Sequence, residues 1–479
     1  MDRRRGGGKM SKTIKIDPVT RVEGHARILL ECDDSGSVSK ASFCVNELRG
    51  FERILVGMEA STMPQITARI CGVCPTAHHL VAAKALDNAA GIEPPPAAKL
   101  LREFMYMGHM IHSHSLSLFV LAGPDLVFGL NGTAATQNIV GMVNAAPELT
   151  RKGLRLRSLG QKINETIGGR GIHPVTAIAG GISFKLSDAQ FTRLHQLTVE
   201  TVQLVSELAG QTKRLLFDLL EKYPVLLEKL NAESWYLGTV RDGRHNVYDG
   251  ELRAMDASGT IKPAFPASSY REMMTERAVQ NSYAKEVYLN MDGAEQMYRV
   301  GPLARLNVAD GMETPIAQKE FEAFRNNFAR PCHNAVLQLY AKLIELVYCC
   351  EKAREIINDP ALRGETRVPA HFKGGHGIAH IEAPRGTLIH DYEIDERGIV
   401  TAANMIVATQ QNTAAINNSL KEGANNLLKK TSDEAMLNSL EFVVRCYDPC
   451  MACSTHAIGK MALDVEITHN GQTIRKLRR

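Results

Sequence analysis

No stretch of this chain stays apolar for the ~20 residues that a membrane-crossing helix needs. The best candidate, "HSLSLFVLAGPDLVFGL", is broken by glycine, proline and aspartate. Charge of one sign is also lacking, since 56 basic and 52 acidic residues leave a formal net charge of +4. Without a dominant basic block, electrostatics gives no reason to expect nucleic acid as a partner. Ten cysteines among 479 residues are too few for a disulfide scaffold. With no export signal in view, they indicate a reducing, cytoplasmic setting. No G-x-G-x-x-G follows a predicted strand, and "GGRG" and "GGHG" lack that context, so nothing here is read as binding NAD. Internal repeats and low-complexity linkers are missing too.

What is present falls into blocks. "MDRRRGGGKMSK" reads as a disordered leader over residues 1–11. Its arginines do not open an export signal, because "TIKIDPVTRVEGH" follows in place of an apolar stretch. "TIKIDPVT", "HARILLEC" and "SVSKASFCV", with the turn "DDSG", predict a small β-meander. A helical pattern takes over near residue 60. "CPTAHHLVAAKALDNAAG" ends at Gly91, and "PPPAAKLLREFMYMGHMIHSHSLSLFVLAG" starts on prolines and runs to Gly123. Its methionine-rich run reads as core. Residues 187–222 open on a capping-box-like "SDAQ", and Leu194, Leu197, Val205 and Leu208 mark one buried face. Residues 317–358 repeat the theme, with Pro331 expected to kink or divide the helix. Residues 231–315 are turn-rich and read as a surface excursion. Residues 377–408 alternate like strands around "DERG", and "LDVEITHNGQTIRKLRR" reads as a hairpin with an Asn-Gly turn. The expected fold class is mainly α with peripheral β (α+β), a long helix-bundle core forming one domain over residues 12–456.

The chemistry lies in two C-x-x-C pairs. Cys71 and Cys74 stand in "ITARICGVCPTAHHL"; Cys450 and Cys453 stand in "RCYDPCMACSTHAIGKM". A histidine follows each pair, His78 and His456. Thiolates are soft donors that suit zinc, copper(I), nickel and iron. Three chemistries compete: a closed structural zinc site, a thiol redox pair, and a catalytic metal centre with an open position. Zinc ribbons place their pairs ~15–20 residues apart, whereas nearly the whole chain separates these two. A thiol redox pair wants a βαβ context, which the helical pattern does not offer. The remaining cysteines (Cys32, Cys44, Cys332, Cys349, Cys350 and Cys446) read as small apolar packing residues.

"RICGVC" with His78, and "DPCMAC" with His456, resemble the two signature motifs of nickel–iron hydrogenase large subunits. "DPVTRVEGHARI", "RGFERILVG", "HSHSLSLFVLAGPD", "QMYRVGPLARLN" and "IEAPRGTLIHDYEID" are similar to further family segments, in the family's order. The resemblance runs from residue 12 to the end. "PELTRKGLRLRSLGQKI", "YRVGPLARLN" and "STHAIGKM" resemble most closely the cytoplasmic NAD-reducing, bidirectional type.

The resemblance implies an activity and a site. Dihydrogen would be split into protons and electrons at a nickel–iron centre whose iron carries carbonyl and cyanide ligands. Cys71 and Cys450 would be terminal nickel ligands, and Cys74 and Cys453 would bridge nickel to iron. Glu23 would pass protons from Cys450, and Arg385 would stand above the open metal position. Glu52, His456 and the main-chain carbonyl of Met405 would hold a second metal, magnesium or iron. Many family members carry aspartate between the paired histidines where this chain has Ser113, so altered polar contacts to Arg385 are expected. His112 and His114 read as buried, hydrogen-bonded histidines, with Asp125 and Asp448 as local acidic groups. A maturation endopeptidase would cut between His456 and Ala457, removing residues 457–479 as a propeptide. With no further C-x-x-C pairs for iron–sulfur clusters, electrons would leave through an iron–sulfur small subunit, then through flavin-containing diaphorase subunits that reduce NAD. The alternatives are the same centre linked to another acceptor or to hydrogen sensing, a relative from a respiratory quinone-reducing complex that lacks the four cysteines, and a zinc-stabilised non-catalytic protein.

Overall fold

The structure, a computed structural model, describes residues 13–455 except 134, 281 and 428–432, together with the backbone of two later strands. Three strands, β1 (Thr13–Ile16), β2 (Ala26–Cys32) and β3 (Val38–Val45), form the expected antiparallel meander. Alternation buries Ala26, Ile28 and Leu30 on one face of β2. Asp33 closes the β2–β3 turn by accepting from the Ser35 and Ser37 N–H groups at 2.9 and 3.1 Å.

Helices build the core. The short α1 (Phe51–Leu55) leads to α2 (Pro75–Ala90), which stops at Gly91 with φ 63°, as its sequence requires. The next, α3 (Pro96–Leu116), does not continue as an α-helix to Gly123. It widens into one π-turn over Ser117–Leu121 before a short helix begins at Gly123. Met105, Met107 and Met110 are fully buried in α3, as core residues. Against it packs α4 (Pro147–Gly168), and then α5 (Asp188–Lys222), whose Ser187–Gln190 capping box forms in full. Leu194, Leu197, Val205 and Leu208 of α5 are buried together.

The surface excursion expected over 231–315 is corrected by the structure. Its strand β4 (Trp235–Arg241) is buried along six of its seven residues, and every residue of α6 (Pro302–Val308) is buried. Turn residues show where the chain reverses; they do not show whether the strands between reversals are covered. The segment around Pro331 divides as expected into α7 (Pro315–Asn327) and α8 (Gln338–Ile357). A three-stranded antiparallel sheet follows, β5 (Gly375–Ala383), β6 (Gly386–Ile394) and β7 (Val400–Ile406). It packs on α2 and lies inside the molecule, and β6 is buried at eight of nine positions. Then α9 (Ala408–Leu427) and α10 (Asp433–Tyr447) return the chain to the core. The terminal hairpin pairs β8 (Asp464–His469) with β9 (Gln472–Arg478).

The α3–α4 contact depends on two glycines facing each other. A Cβ at Gly160 would lie 2.5 Å from the Gly108 carbonyl oxygen and 2.6 Å from the His112 nitrogen. Backbone cannot yield as a side-chain tip can, so Gly160→Ala should destabilise the fold by roughly 1–3 kcal/mol. Chemical denaturation checks this; an unchanged midpoint would show that the helices separate without cost.

Candidate metal centre

The two cysteine pairs reach one place by different routes. Cys71 is extended, directly after the short turn Ala68–Ile70, and Cys74 is the N-cap of α2 with Pro75 in its first turn. Proline there has no N–H to lose and starts the helix at once. From the other end, α10 stops at Tyr447 and Asp448 takes a left-handed φ of 53°. Cys450 then pairs, as an isolated parallel bridge, with Glu23. The Met451 N–H donates to the Glu23 carbonyl at 3.3 Å, and the Cys450 N–H donates to Thr409 Oγ1 at 2.8 Å.

The result is four buried sulfurs within 4.8 Å of one another. Cys71 Sγ lies 3.2 Å from Cys450 Sγ, Cys74 Sγ lies 3.1 Å from Cys453 Sγ, and Cys450 and Cys453 are 3.0 Å apart. The other six cysteines are buried and unpaired, as small packing residues. Hydrogen bonds from Cys450, Cys453 and Cys74 hold the Cys71 thiol well down, and the Val73 and Cys74 N–H groups also point at its sulfur. Burial drives the Cys450 and Cys453 thiols well up. So many thiolates cannot share a dry interior without a cation. The donor set therefore fits a soft, multiply charged metal centre.

Arg385 sits beside the sulfurs in the two-residue turn between β5 and β6. Gly386 closes that turn at φ 138°, and a Cβ there would fall 2.3 Å from Val300 Cγ2. The guanidinium is buried, and its Nη2 donates to Asp448 Oδ1 at 3.1 Å. Its Nε and Nη1 have no hydrogen-bond partner among the described residues. Arg385 also lines a cavity of about 20 Å³ with Cys74, His78, Thr409, Cys450 and Cys453. Unpaired buried donors beside a space of about the size of one water could receive a small polar ligand.

The turn is braced from behind. Arg305 donates to the carbonyls of Ala383 and Pro384 at 3.1 and 3.3 Å, to Glu345 at 2.6 and 2.7 Å, and to Glu382 at 2.8 Å. His114 and His245 both reach the same Glu345, at 3.0 and 2.9 Å. Thus His114 is a buried, hydrogen-bonded histidine, as expected, and burial depresses it to about 4. His112 is buried and likewise depressed to about 4. Ser113 Oγ has no partner among the described residues, and Arg385 takes Asp448 as its carboxylate.

Glu23 is half-buried, and its Oε2 accepts from the Ala452 N–H at 3.2 Å. Burial raises its carboxyl group, the Cys71 charge raises it further, and a hydrogen bond with Cys450 opposes both. Glu52 and Met405 also meet, with the Met405 N–H donating to Glu52 Oε1 at 3.3 Å. His456 lies outside the described residues, but the Thr455 carbonyl before it accepts from the Gly50 N–H at 3.3 Å. The C-terminal segment is thereby fixed two positions from Glu52.

Three features were not read from the sequence. His78 Nε2 lies 3.4 Å from Cys453 Sγ and its Nδ1 lies 3.1 Å from His390 Nε2, which continues to Tyr392 Oη at 2.6 Å. A histidine in the otherwise apolar strand "GTLIHDYEI" was the available signal. Asp125 receives two arginines, Arg21 at 2.8 and 2.8 Å and Arg445 at 2.9 and 2.9 Å. This clamp ties the segment before Glu23 to the helix before Cys450. Lys342 contacts Asp448, and nothing in its local pattern marks it out.

The comparisons agree with this geometry. A family profile described as nickel-dependent hydrogenase matches residues 49–153 and 227–456, and one described as HoxL-like matches 13–48. The vhu F420-non-reducing hydrogenase of Methanococcus voltae contributes a relative that is 40% identical over 419 residues, 87% of this chain and 99% of its own. The NAD-reducing hydrogenase HoxS subunit beta of Cupriavidus necator is 34% identical over 475 residues, 96% of this chain and 97% of its own. A solved NAD+-reducing NiFe-hydrogenase in the H2-reduced state superposes with a TM-score of 0.87 at 34% identity, covering 93% of this chain and 99% of that one. Four converging thiolates, the family profile and the shared fold lead to one conclusion: the chain belongs to the nickel-dependent hydrogenase family, as a catalytic large subunit.

Proposed function

We propose that this subunit interconverts dihydrogen with protons and electrons at a nickel–iron centre held by Cys71, Cys74, Cys450 and Cys453, and that its electrons pass to NAD through partner subunits. The observation that carries the reading is the meeting of four buried sulfurs beside an arginine with two unpaired donors. All four thiolates would hold the metal pair, Cys71 and Cys450 in the terminal role and Cys74 and Cys453 in the shared one. When bound, the metal pair supplies Lewis acidity and the two-electron redox capacity that protein side chains lack. The chain's own residues do the rest. Burial around the sulfurs excludes bulk water and strengthens every charge interaction there. Arg385 offers Nε–H and Nη1–H to small ligands in the cavity. Glu23 takes the proton from Cys450; burial raises its carboxyl group, and the Ala452 N–H holds it at the cysteine segment.

A second metal, magnesium or iron, belongs between Glu52, the Met405 carbonyl and His456; the Glu52–Met405 contact and the anchored Thr455 support it. Residues 457–479 are a propeptide that a maturation endopeptidase removes after metal loading. The partners are flavin–iron–sulfur diaphorase subunits and an iron–sulfur small subunit, and the setting is cytoplasmic. No helix among the described residues is long and apolar enough to cross a membrane. A second reading keeps the centre and changes the acceptor. It is favoured by the 40% identity to an F420-non-reducing enzyme, against 34% to the NAD-reducing one.

The purified complex decides between them. Nickel and iron together, hydrogen-dependent NAD reduction and a mature chain ending at His456 are expected. Zinc alone would overturn the enzyme, and hydrogen uptake without NAD reduction would favour the second reading. Cys453→Ser should abolish metal loading; full nickel content in that variant refutes the bridging role. Glu23→Gln should retain both metals and slow hydrogen–deuterium exchange by roughly 100-fold or more, the scale of a lost proton shuttle. Normal exchange would remove Glu23 from the proton route.

A further inference from the structure

We propose that Lys342 is a positioning residue that aims Arg385 at the metal-facing cavity by occupying one oxygen of their shared carboxylate, Asp448. The inference rests on the nickel–iron reading above and adds a residue to it. Lys342 lies in α8 with 1% of its surface exposed. Its ammonium donates to Ser117 Oγ at 2.6 Å and to Asp448 Oδ2 at 3.1 Å. The other oxygen, Oδ1, receives Arg385 Nη2 at 3.1 Å. One carboxylate thus serves two cations, one oxygen to each.

Elsewhere in the protein two arginines meet one carboxylate at two points each, although they share it. Asp125 takes Arg445 through Nε and Nη2, and Arg21 through Nη1 and Nη2, using both oxygens each time. That two-point fork is the geometry arginine prefers. Arg385 instead meets Asp448 through Nη2 alone, and its Nε and Nη1 stay unpartnered among the described residues while it lines the cavity. Lys342 is the group that takes the second oxygen.

The placement of Lys342 is costly, which argues against mere packing. Removing an ammonium from water is expensive, and an apolar residue at such a position is often as stable or more so. The seat is also built by an irregularity, because Ser117 is the first residue of the π-turn that ends α3. A fastening role alone, tying α8 to the cysteine segment, would need neither the charge nor the single-oxygen geometry.

The test uses Lys342→Met and Lys342→Gln in the whole complex, with three readouts: nickel and iron content, kcat against KM for dihydrogen, and the infrared stretching bands of the iron-bound diatomic ligands. Released from Lys342, Asp448 should take Arg385 by both oxygens. Metal content should then hold; in Lys342→Met the bands should shift and kcat should fall roughly tenfold to a hundredfold, the worth of a charge-assisted hydrogen bond, while Lys342→Gln, whose amide can still donate to Oδ2, should shift less. Full metal content with wild-type bands and kcat would reduce Lys342 to a fastener and overturn the proposal. Should both variants fail to fold, Ser117→Ala keeps the ammonium and loosens its seat. A band shift there supports the proposal, and wild-type bands with wild-type kcat overturn it. Wild-type complex lacking nickel, iron or those bands would instead sink the hydrogenase reading itself.

Discussion

Four sulfurs crowded into a dry interior repel one another once they ionise, and much of this structure can be understood as the means of holding them there. Neither pair stands on a long element of its own. One occupies the approach to α2, the other a bend after α10, so each could relax away without support. The support is ionic. Asp125 grips Arg21 and Arg445 together, and this fixes the strand-like segment of Glu23 against the segment of Cys450. The Glu23–Cys450 bridge and the Thr409 hydroxyl then set the cysteine backbone.

A second buried network does the same for the cation. Glu345 gathers Arg305, His114 and His245, and Arg305 reaches on to the carbonyls of the turn that carries Arg385. Both oxygens of Glu345 and the fork of Arg305 are satisfied, while the Nδ1 atoms of His114 and His245 have no hydrogen-bond partner among the described residues. The unpaired donors of Arg385 differ in that Arg385 lines the cavity beside the sulfurs. They lie where satisfying them from within the protein would close the cavity.

Much of the architecture was legible from local pattern. The meander, the glycine stop after α2, the capping box of α5 and the division at Pro331 all follow from residue types that act within a few positions of themselves. The errors arose where tertiary context decides. The segment 231–315 has the turns of a surface region, yet β4 and α6 lie inside, because cover comes from distant helices and from β6. The π-turn after Leu116 has no strong local signal, and the same residues read equally well as continued α-helix. His390 was visible only as an odd histidine in an apolar strand; its partner His78 is 312 positions away.

By itself the sequence determined two C-x-x-C pairs and a tight Pro-Arg-Gly turn; Arg385, Glu23 and Glu52 were singled out by the family resemblance. Spacing within a motif is local chemistry, and local chemistry survives being read one residue at a time. Only the tertiary structure decided that the pairs converge, that Asp448 is divided between Arg385 and Lys342, and that His114 serves a bracing network. Those facts depend on which groups share a buried volume, and in a dry interior every charge must find its partner in space, however far off it lies in the chain.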